Sequence, residues 1–424
     1  MNNKTIMKEE QIKKEFAAAK EQYAALGVDV EKAIEKLNSV SISIHCWQAD
    51  DVLGFENPDG ELTGGIQTTG NYPGKARTID ELKKDIEKVL NLIPGKHRLS
   101  LHAIYGDFGG KVDRDQIEPK HFQTWMDWAK KTGAKLDFNS TFFSHSKSGN
   151  YSLSSFDPEI RNFWKEHLRR CRRIGEEMGR QQGDACVHNI WIHDGEKDKS
   201  VSRIQHRQLL KESLDEVLAE KISTEYLKDS VECKLFGIGS ESYVVGSHEF
   251  YMGYAVKNNM LLTLDAGHFH PTEGIADKIS SMLLFVPEIT LHVSRPERWD
   301  SDHVVVLNDA LLELSQEIVR SGQMEKIHIG LDYFDASINR IGAYVVGIRS
   351  TQKALLQALL EPTEKLREYE KQDNNFQRLA YLEELKAMPW NAVYNYYCLQ
   401  QGIPVGNEYI AAIESYESEV TSKR

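Results

Sequence analysis

Two short motifs carry residues that bind divalent metal ions. In the first, Asp265 is followed three residues later by His268, and in the second Asp300 and Asp302 form a D-x-D pair. Each motif follows a short apolar run typical of a β-strand. Carboxylate and imidazole groups without thiolates suit Mn²⁺, Mg²⁺, Co²⁺ or Zn²⁺. We therefore expect metal-assisted chemistry where these strands end.

Further acidic and imidazole groups lie on neighbouring predicted strands. Glu232 opens the predicted fifth strand, and Lys234 lies two residues later on the same side of the sheet. His292 lies within the seventh strand and Asp332 closes the eighth. Each group alone has an ordinary explanation, since a strand-end aspartate often caps a helix and Glu232 could pair with Lys234. Together, the carboxylates would repel one another unless cations lay among them.

The set is too large for one ion. Seven candidate ligands exceed what an octahedral ion can use while it keeps positions open for substrate. They suit two ions that share a carboxylate, and Asp265 is the natural bridge because its strand is central in the order. The first predicted set is Glu232, Asp265, His292 and Asp332, and the second is Asp265, His268, Asp300 and Asp302.

Short apolar runs and amphipathic segments alternate through the middle of the chain. This alternation predicts parallel strands joined by helical crossovers. Eight runs over about 300 residues favour an α/β fold with a (β/α)₈ TIM barrel, whose active site lies at the strand ends. The predicted strands are 41–47, 98–105, 135–139, 187–192, 233–239, 261–265, 289–294 and 327–332.

Two helical parts flank the predicted barrel. Residues 1–39 form an N-terminal segment in which Asp29 caps the second helix, and the barrel domain spans 40–337. Residues 338–424 are helix-rich, and we expect this extension to pack against other subunits. The polar, glycine-rich segment 50–75 follows the first strand, and this position predicts a substrate lid.

The composition excludes several classes of partner. A net charge of −12 argues against nucleic acid or a membrane surface, because either would need a basic face. The five cysteines lack C-x-x-C spacing, which speaks against a zinc–thiolate site or a disulfide framework. The sequence has no apolar run long enough to span a membrane and no secretory signal pattern. We expect a cytoplasmic protein with a small-molecule substrate.

Five stretches carry a family resemblance. They are IHCWQADD at 44–51, GGIQTTGNYPGK at 64–75, DAGHFHPTE at 265–273, VSRP with RWDSDH between 293 and 303, and GLD with FDASINR between 330 and 340. These long, specific motifs resemble the L-rhamnose isomerase family, and the resemblance runs from about residue 10 to near 417. The D-x-x-H and D-x-D spacing is also similar to that of the wider xylose-isomerase group.

The resemblance implies a homotetrameric barrel enzyme that interconverts L-rhamnose and L-rhamnulose with Mn²⁺. It implies that His268, Asp300 and Asp302 hold a catalytic ion, with Asp265 shared between this ion and a more structural one. It also implies that Lys234 polarises the carbonyl at the first sugar carbon and that His102 assists ring opening. The residues expected to contact the sugar are Trp47, His102, Trp191, Lys234, His270 and Phe334.

The expected reaction is a two-metal-assisted 1,2-hydride shift, with an enediol path as its mechanistic rival. Two other functions stay open at this point. A barrel metal-dependent phosphoesterase or nuclease uses similar ligands, but it predicts a basic groove that the charge of −12 disfavours. A non-catalytic sugar-binding barrel would make the acidic cluster merely structural.

Overall fold

The chain folds into a closed barrel of eight parallel strands in a computed structural model, which describes residues 3–56, 62–63, 66–237 and 239–424. The final strand pairs with the first, with Ile42 opposite Ile329, so the sheet has no free edge. A two-stranded antiparallel ribbon, β5 with β7, lies outside the barrel. The strands are β1 (Ile42–His45), β2 (Arg98–His102), β3 (Lys135–Ser140), β4 (Cys186–Trp191), β5 (Gly195–Glu196), β6 (Leu227–Glu232), β7 (Tyr243–Val244), β8 (Leu261–Asp265), β9 (Ile289–Val293) and β10 (Ile327–Leu331).

Helices cover the outside of the barrel. Asp29 accepts hydrogen bonds from the backbone N–H groups of Glu31 and Lys32, which confirms the predicted cap. Within the described residues, no helix is both long and apolar enough to cross a membrane. The helices are α1 (Asn3–Ala24), α2 (Val30–Ser39), α3 (Ile79–Leu90), α4 (Gln123–Thr132), α5 (Pro158–Gln182), α6 (Arg203–Leu218), α7 (His248–Asn258), α8 (Ala276–Met282), α9 (Asp309–Arg320), α10 (Arg340–Leu359), α11 (Thr363–Lys371), α12 (Asn375–Lys386), α13 (Trp390–Gln400) and α14 (Glu408–Glu419).

The predicted TIM barrel is confirmed, but the position of its fifth strand is wrong. The sequence predicts 233–239, whereas β6 occupies Leu227–Glu232. Glu232 therefore closes its strand, and Lys234 follows in the loop. The sequence misleads here because β6 carries Lys228 and Asp229, which do not read as an apolar strand.

Ion pairs make this charged strand compatible with the barrel. The Lys228 ammonium lies 2.7 Å from the carboxylate of Glu288, the residue just before β9. Asp229 accepts hydrogen bonds from Arg172 at 3.0 Å and from His188 at 2.8 Å. Lys228 and Asp229 thus each have a partner of opposite charge or a hydrogen-bond donor on another element, which offsets the cost of removing them from water.

The chain beyond β10 begins with a buried helix. Helix α10 packs against α9 and α3, and the Tyr344 hydroxyl donates to the carbonyl oxygens of His45 and Cys46 at 2.8 and 2.9 Å. Farther on, Tyr396 of α13 stacks on Phe16 of α1 with ring centroids 3.8 Å apart. The start of α10 therefore fixes the end of β1, and the later helices meet the N-terminal segment.

The loop after β1 begins in an unusual backbone conformation. Asp51 and Val52 have φ angles of 63° and 64°, in the left-handed region that a β-branched residue rarely adopts. The Arg340 guanidinium donates to both carboxylate oxygens of Asp51, each at 2.9 Å. This ion pair holds the turn in place. Residues 57–61, 64 and 65 of the predicted lid lie outside the described residues, so the lid stays a prediction.

A buried histidine on α5 predicts loss of stability in acid. His167 is fully buried, and burial lowers its pKa to about 3. An unfolded chain protonates this group near pH 6.5, so its contribution to stability is present above that pH and falls below it by about 1.4 kcal/mol per pH unit. Melting temperatures measured between about pH 6.5 and pH 4.5 should fall less steeply for His167→Gln than for the wild type. Parallel curves would contradict the prediction.

Candidate metal and sugar site

Four neighbouring strands bring their ligands together at the carboxyl end of the barrel. Glu232, Asp265, His292 and Asp332 each offer a ligand atom within 4.8 Å of the others. The His292 Nδ1 atom lies 3.2 Å from Glu232 Oε1, 3.3 Å from Asp332 Oδ2 and 3.7 Å from Asp265 Oδ2. The first predicted set of ligands therefore converges.

A second group shares Asp265. It contains Asp265, His268 and Asp300, again with ligand atoms within 4.8 Å of one another. His268 Nε2 lies 3.2 Å from Asp300 Oδ2. Gly267 makes this approach possible, because a Cβ atom at that position would lie 2.1 Å from Asp300 Oδ1. Its backbone N–H also donates to Asp265 Oδ1 at 2.6 Å and fixes that carboxylate.

Asp302, the fourth residue of the second predicted set, stands apart from this group. It lines the same pocket but is not among the residues whose ligand atoms lie within 4.8 Å of one another. Its backbone is left-handed, with φ of 44°, and its carbonyl oxygen accepts a hydrogen bond from the Phe334 N–H at 3.2 Å.

Burial and mutual charge separate the pKa values of the carboxylates. Burial holds the pKa of Asp265 and of Asp302 well above the usual range, and nearby carboxylates add to the effect. Burial also disfavours charge on Asp332, but the hydrogen bond and charge of His292 outweigh it and lower the Asp332 pKa to about 2. For His268, Asp265 and Asp300 overcome burial and raise the pKa to about 10.

The donor set fits divalent metal ions. Among the described residues, the buried atoms His268 Nδ1 and Asp300 Oδ1 have no hydrogen-bond partner. His268 Nδ1 lies 3.4 Å from Glu232 Oε1 without the alignment of a hydrogen bond. Oxygen and imidazole donors match Mn²⁺, Mg²⁺, Co²⁺ and Zn²⁺. The site therefore contains buried ligand atoms that lack a hydrogen-bond partner and that a divalent ion could bind.

A pocket opens beside these ligands. Its wall includes five of the six residues predicted to contact the sugar, namely Trp47, His102, Trp191, Lys234 and Phe334. Lys234 is 4% exposed, and its Nζ lies 4.5 Å from the centroid of the Trp191 ring. The Trp47 indole donates to Asp332 Oδ1 at 2.9 Å. The pocket thus combines apolar walls with one buried ammonium group.

His102 lines the pocket beside Trp47 and carries a neutral imidazole. Its ring centroid lies 4.7 Å from that of Trp47, and its Nδ1 lies 3.0 Å from the Thr141 hydroxyl. Burial lowers its pKa to about 3. At neutral pH His102 therefore carries no charge, and it can donate a hydrogen bond from one ring nitrogen while it accepts one at the other.

His270 is the one predicted sugar contact that the structure does not bring into the pocket. It is exposed, and its Nδ1 lies 2.8 Å from the Thr272 hydroxyl. Conversely, the pocket contains Asn139 and Asn189, which the sequence analysis missed. Asn189 lies two residues before Trp191 on β4, so strand alternation places both on one side and was the signal available.

Comparisons with known proteins agree on one family. The profile of the L-rhamnose isomerase (RhaA) family matches residues 10–424. An L-rhamnose isomerase of Bacteroides thetaiotaomicron is 61% identical over 422 residues, covering 99% of this chain and 100% of that protein. An L-rhamnose isomerase of Listeria monocytogenes is 54% identical over 417 residues, covering 98% of this chain and 99% of that protein. These relatives give no support to a phosphoesterase or nuclease.

A more distant likeness appears among solved structures. A D-psicose 3-epimerase from Clostridium cellulolyticum H10 has a TM-score of 0.44 and 16% identity, and the match covers 66% of this chain and 93% of that one. The closed barrel is established by the strand pairing itself and does not depend on this likeness.

Proposed function

The chain belongs to the L-rhamnose isomerase family, and on that premise we propose that it interconverts L-rhamnose and L-rhamnulose in the pocket at the carboxyl end of the barrel. The observation that carries the proposal is the pair of ligand groups that share Asp265, next to a buried lysine on an apolar wall. We propose Mn²⁺ as the ion in both sites, with Co²⁺, Mg²⁺ or Zn²⁺ as chemically acceptable substitutes.

The proposed chemistry is an aldose–ketose isomerisation by a 1,2-hydride shift. From aldose to ketose, hydride moves from C2 to C1, the O2 hydroxyl loses its proton, and O1 gains one. Lys234 places its positive charge towards the carbonyl oxygen, where negative charge develops. His102 assists the transfer of a proton from the O1 hydroxyl to the ring oxygen when the sugar ring opens. Trp47, Trp191 and Phe334 exclude water, which a shift between adjacent carbons requires.

The metal ions would be held by the two groups already described. Glu232, Asp265, His292 and Asp332 would hold one, and Asp265, His268 and Asp300, with Asp302 beside them, would hold the other. When bound, the ions would stabilise the negative charge that develops on the two reacting sugar oxygens. The protein's part is to hold the four carboxylates and two imidazoles of the two groups close together despite the repulsion between the carboxylates.

The proposed assembly and location follow mainly from the family relationship. We propose a homotetramer in the cytoplasm, with the helices after β10 contributing to contacts between subunits. The exposed apolar side chains of Phe376 and Leu379 on α12, which are 76% and 61% exposed, support such a contact.

Metal removal and solvent labelling test the proposed function together. We expect protein stripped of metal to lose isomerisation of L-rhamnose and to regain it with Mn²⁺, and a panel of aldoses would define the substrate range. Run in D₂O, the reaction should place no deuterium on carbon, because hydride passes directly between C2 and C1. Carbon-bound deuterium after each turnover would instead support an enediol path. Full activity in the stripped protein would overturn the metal role.

A further inference from the structure

A chain of side-chain hydrogen bonds crosses the barrel interior below the ligands. The Ser230 hydroxyl lies 2.7 Å from the Thr263 hydroxyl, and Thr263 lies 2.8 Å from Asn189 Oδ1. The Asn189 amide then donates to Glu232 Oε2. All four side chains are buried, with exposed fractions between 0% and 4%. The chain thus links strands β4, β6 and β8 and ends on a candidate metal ligand.

The direction of every bond in this chain is determined by chemistry. An amide oxygen can only accept, so the single hydroxyl proton of Thr263 points to Asn189. Ser230 must then donate its own proton to Thr263. At the other end, ionised Glu232 can only accept, so the Asn189 NH₂ group faces it. Each donor points towards Glu232, and such aligned bonds polarise one another.

The two oxygens of Glu232 are thereby given different tasks. Oε2 accepts from Asn189, whereas Oε1 lies 3.2 Å from His292 Nδ1 and 3.4 Å from His268 Nδ1. Oε1 is therefore the oxygen that faces both imidazoles of the two ligand groups. A carboxylate without the amide bond could turn about its final side-chain bond and exchange these roles.

We propose that Asn189, held by Thr263 and Ser230, is a positioning residue that fixes the Glu232 carboxylate for metal binding. The proposal rests on the proposed function only in that it takes the ligand groups to bind divalent ions. Partners of this kind orient a metal ligand and strengthen its affinity without touching the ion, and their loss typically weakens metal binding about 10- to 100-fold.

The barrel offers a matched control in the same layer. Thr290 of β9 is the register partner of Thr263 and is 5% exposed. Within the described part of the chain, its hydroxyl has no hydrogen-bond partner. Thr263→Val and Thr290→Val therefore make the same isosteric change at adjacent positions, and only the first breaks the chain to Glu232.

The test is Mn²⁺ affinity of the full-length protein, measured by the free-Mn²⁺ signal in electron paramagnetic resonance. Thr263→Val should weaken binding about 10- to 100-fold, while Thr263→Ser restores it and Thr290→Val leaves it near that of the wild type. Equal affinity in the wild type and Thr263→Val would overturn the proposal. If Thr263→Val fails to fold, Ser230→Ala takes its place, and we expect it to weaken Mn²⁺ binding several-fold. Unchanged Mn²⁺ affinity in Ser230→Ala would then contradict the proposal.

This readout separates the inference from the proposed function. Wild-type protein that binds Mn²⁺ without isomerising L-rhamnose would refute the proposed function and leave the positioning role standing. Isomerisation of L-rhamnose together with an unchanged Mn²⁺ affinity in the Thr263 variants would support the proposed function and refute the positioning role. Wild-type protein that binds no Mn²⁺ would refute both.

Discussion

Replacing Asp265 by asparagine is expected to lower kcat/KM for L-rhamnose by at least about a thousandfold, because it disturbs both metal sites at once. Among the residues that the structure describes, Asp265 is the one that belongs to both ligand groups. In the variant, the side-chain oxygen can still accept the hydrogen bond that Gly267 N–H now donates at 2.6 Å. The substitution therefore keeps the local fold and removes the charge that the two ions would share.

The number of bound ions distinguishes a shared ligand from an ordinary one. Asp265→Asn should reduce Mn²⁺ per chain from two to none at moderate Mn²⁺ concentrations, whereas Asp302→Asn should retain one. Thermal unfolding of the metal-free proteins is the control. Burial raises the Asp265 pKa, so a neutral amide should not destabilise the metal-free fold. An Asp265→Asn protein that keeps one tightly bound ion would show that Asp265 serves a single site.

Lys234→Met is expected to lower kcat/KM about 10²- to 10⁴-fold while Mn²⁺ binding is retained. Lys234 is 4% exposed and lines the pocket beside Trp191, but it is not a metal ligand. Methionine keeps the length and apolar contact of the side chain and removes its charge. The loss should appear mainly in kcat, since the charge acts on the oxygen that becomes negative as hydride moves.

Lys278→Met is the matched control for this variant. Its Nζ lies 4.3 Å from the Phe269 ring centroid and 2.7 Å from the Glu273 carboxylate, and it does not line the pocket. It thus makes a similar lysine–aromatic contact near the site, and its loss should leave kcat/KM close to that of the wild type. Equal effects from both variants would show that Lys234 acts through packing alone.

The barrel could be predicted from the sequence because most of its strands are apolar and alternate with amphipathic helices. Strand β6 could not, since Lys228 and Asp229 gain their partners only after folding: Glu288 lies 60 residues away and Arg172 lies on α5. A local sequence pattern cannot show that a distant residue neutralises a charge on the strand. The same limit misplaced Glu232 at the start of a strand that it closes.

Some residues of the candidate site could likewise be predicted from the sequence, and others could not. Ligands at strand ends could be predicted from position, because parallel strands deliver their carboxyl ends to one rim. His270 shows the limit of this reasoning, since it lies only two residues beyond His268 yet points to solvent. Loop residues follow no period. Asn189 and Thr263 are on ordinary strand positions, and only the register between strands reveals that they bond to each other.

The hydrogen bond between Trp47 and Asp332 has a consequence for how the protein is made. The indole follows β1 and the carboxylate follows β10, so the bond joins the first and last barrel strands across 285 residues. On the ribosome, β1 emerges long before its partner and must wait for it. Arg340, which pairs with Asp51, arrives later still. A nascent chain that ends before Asp332 holds Glu232 and Asp265 without their full set of partners, so the first ligand group can form only after Asp332 has been synthesised.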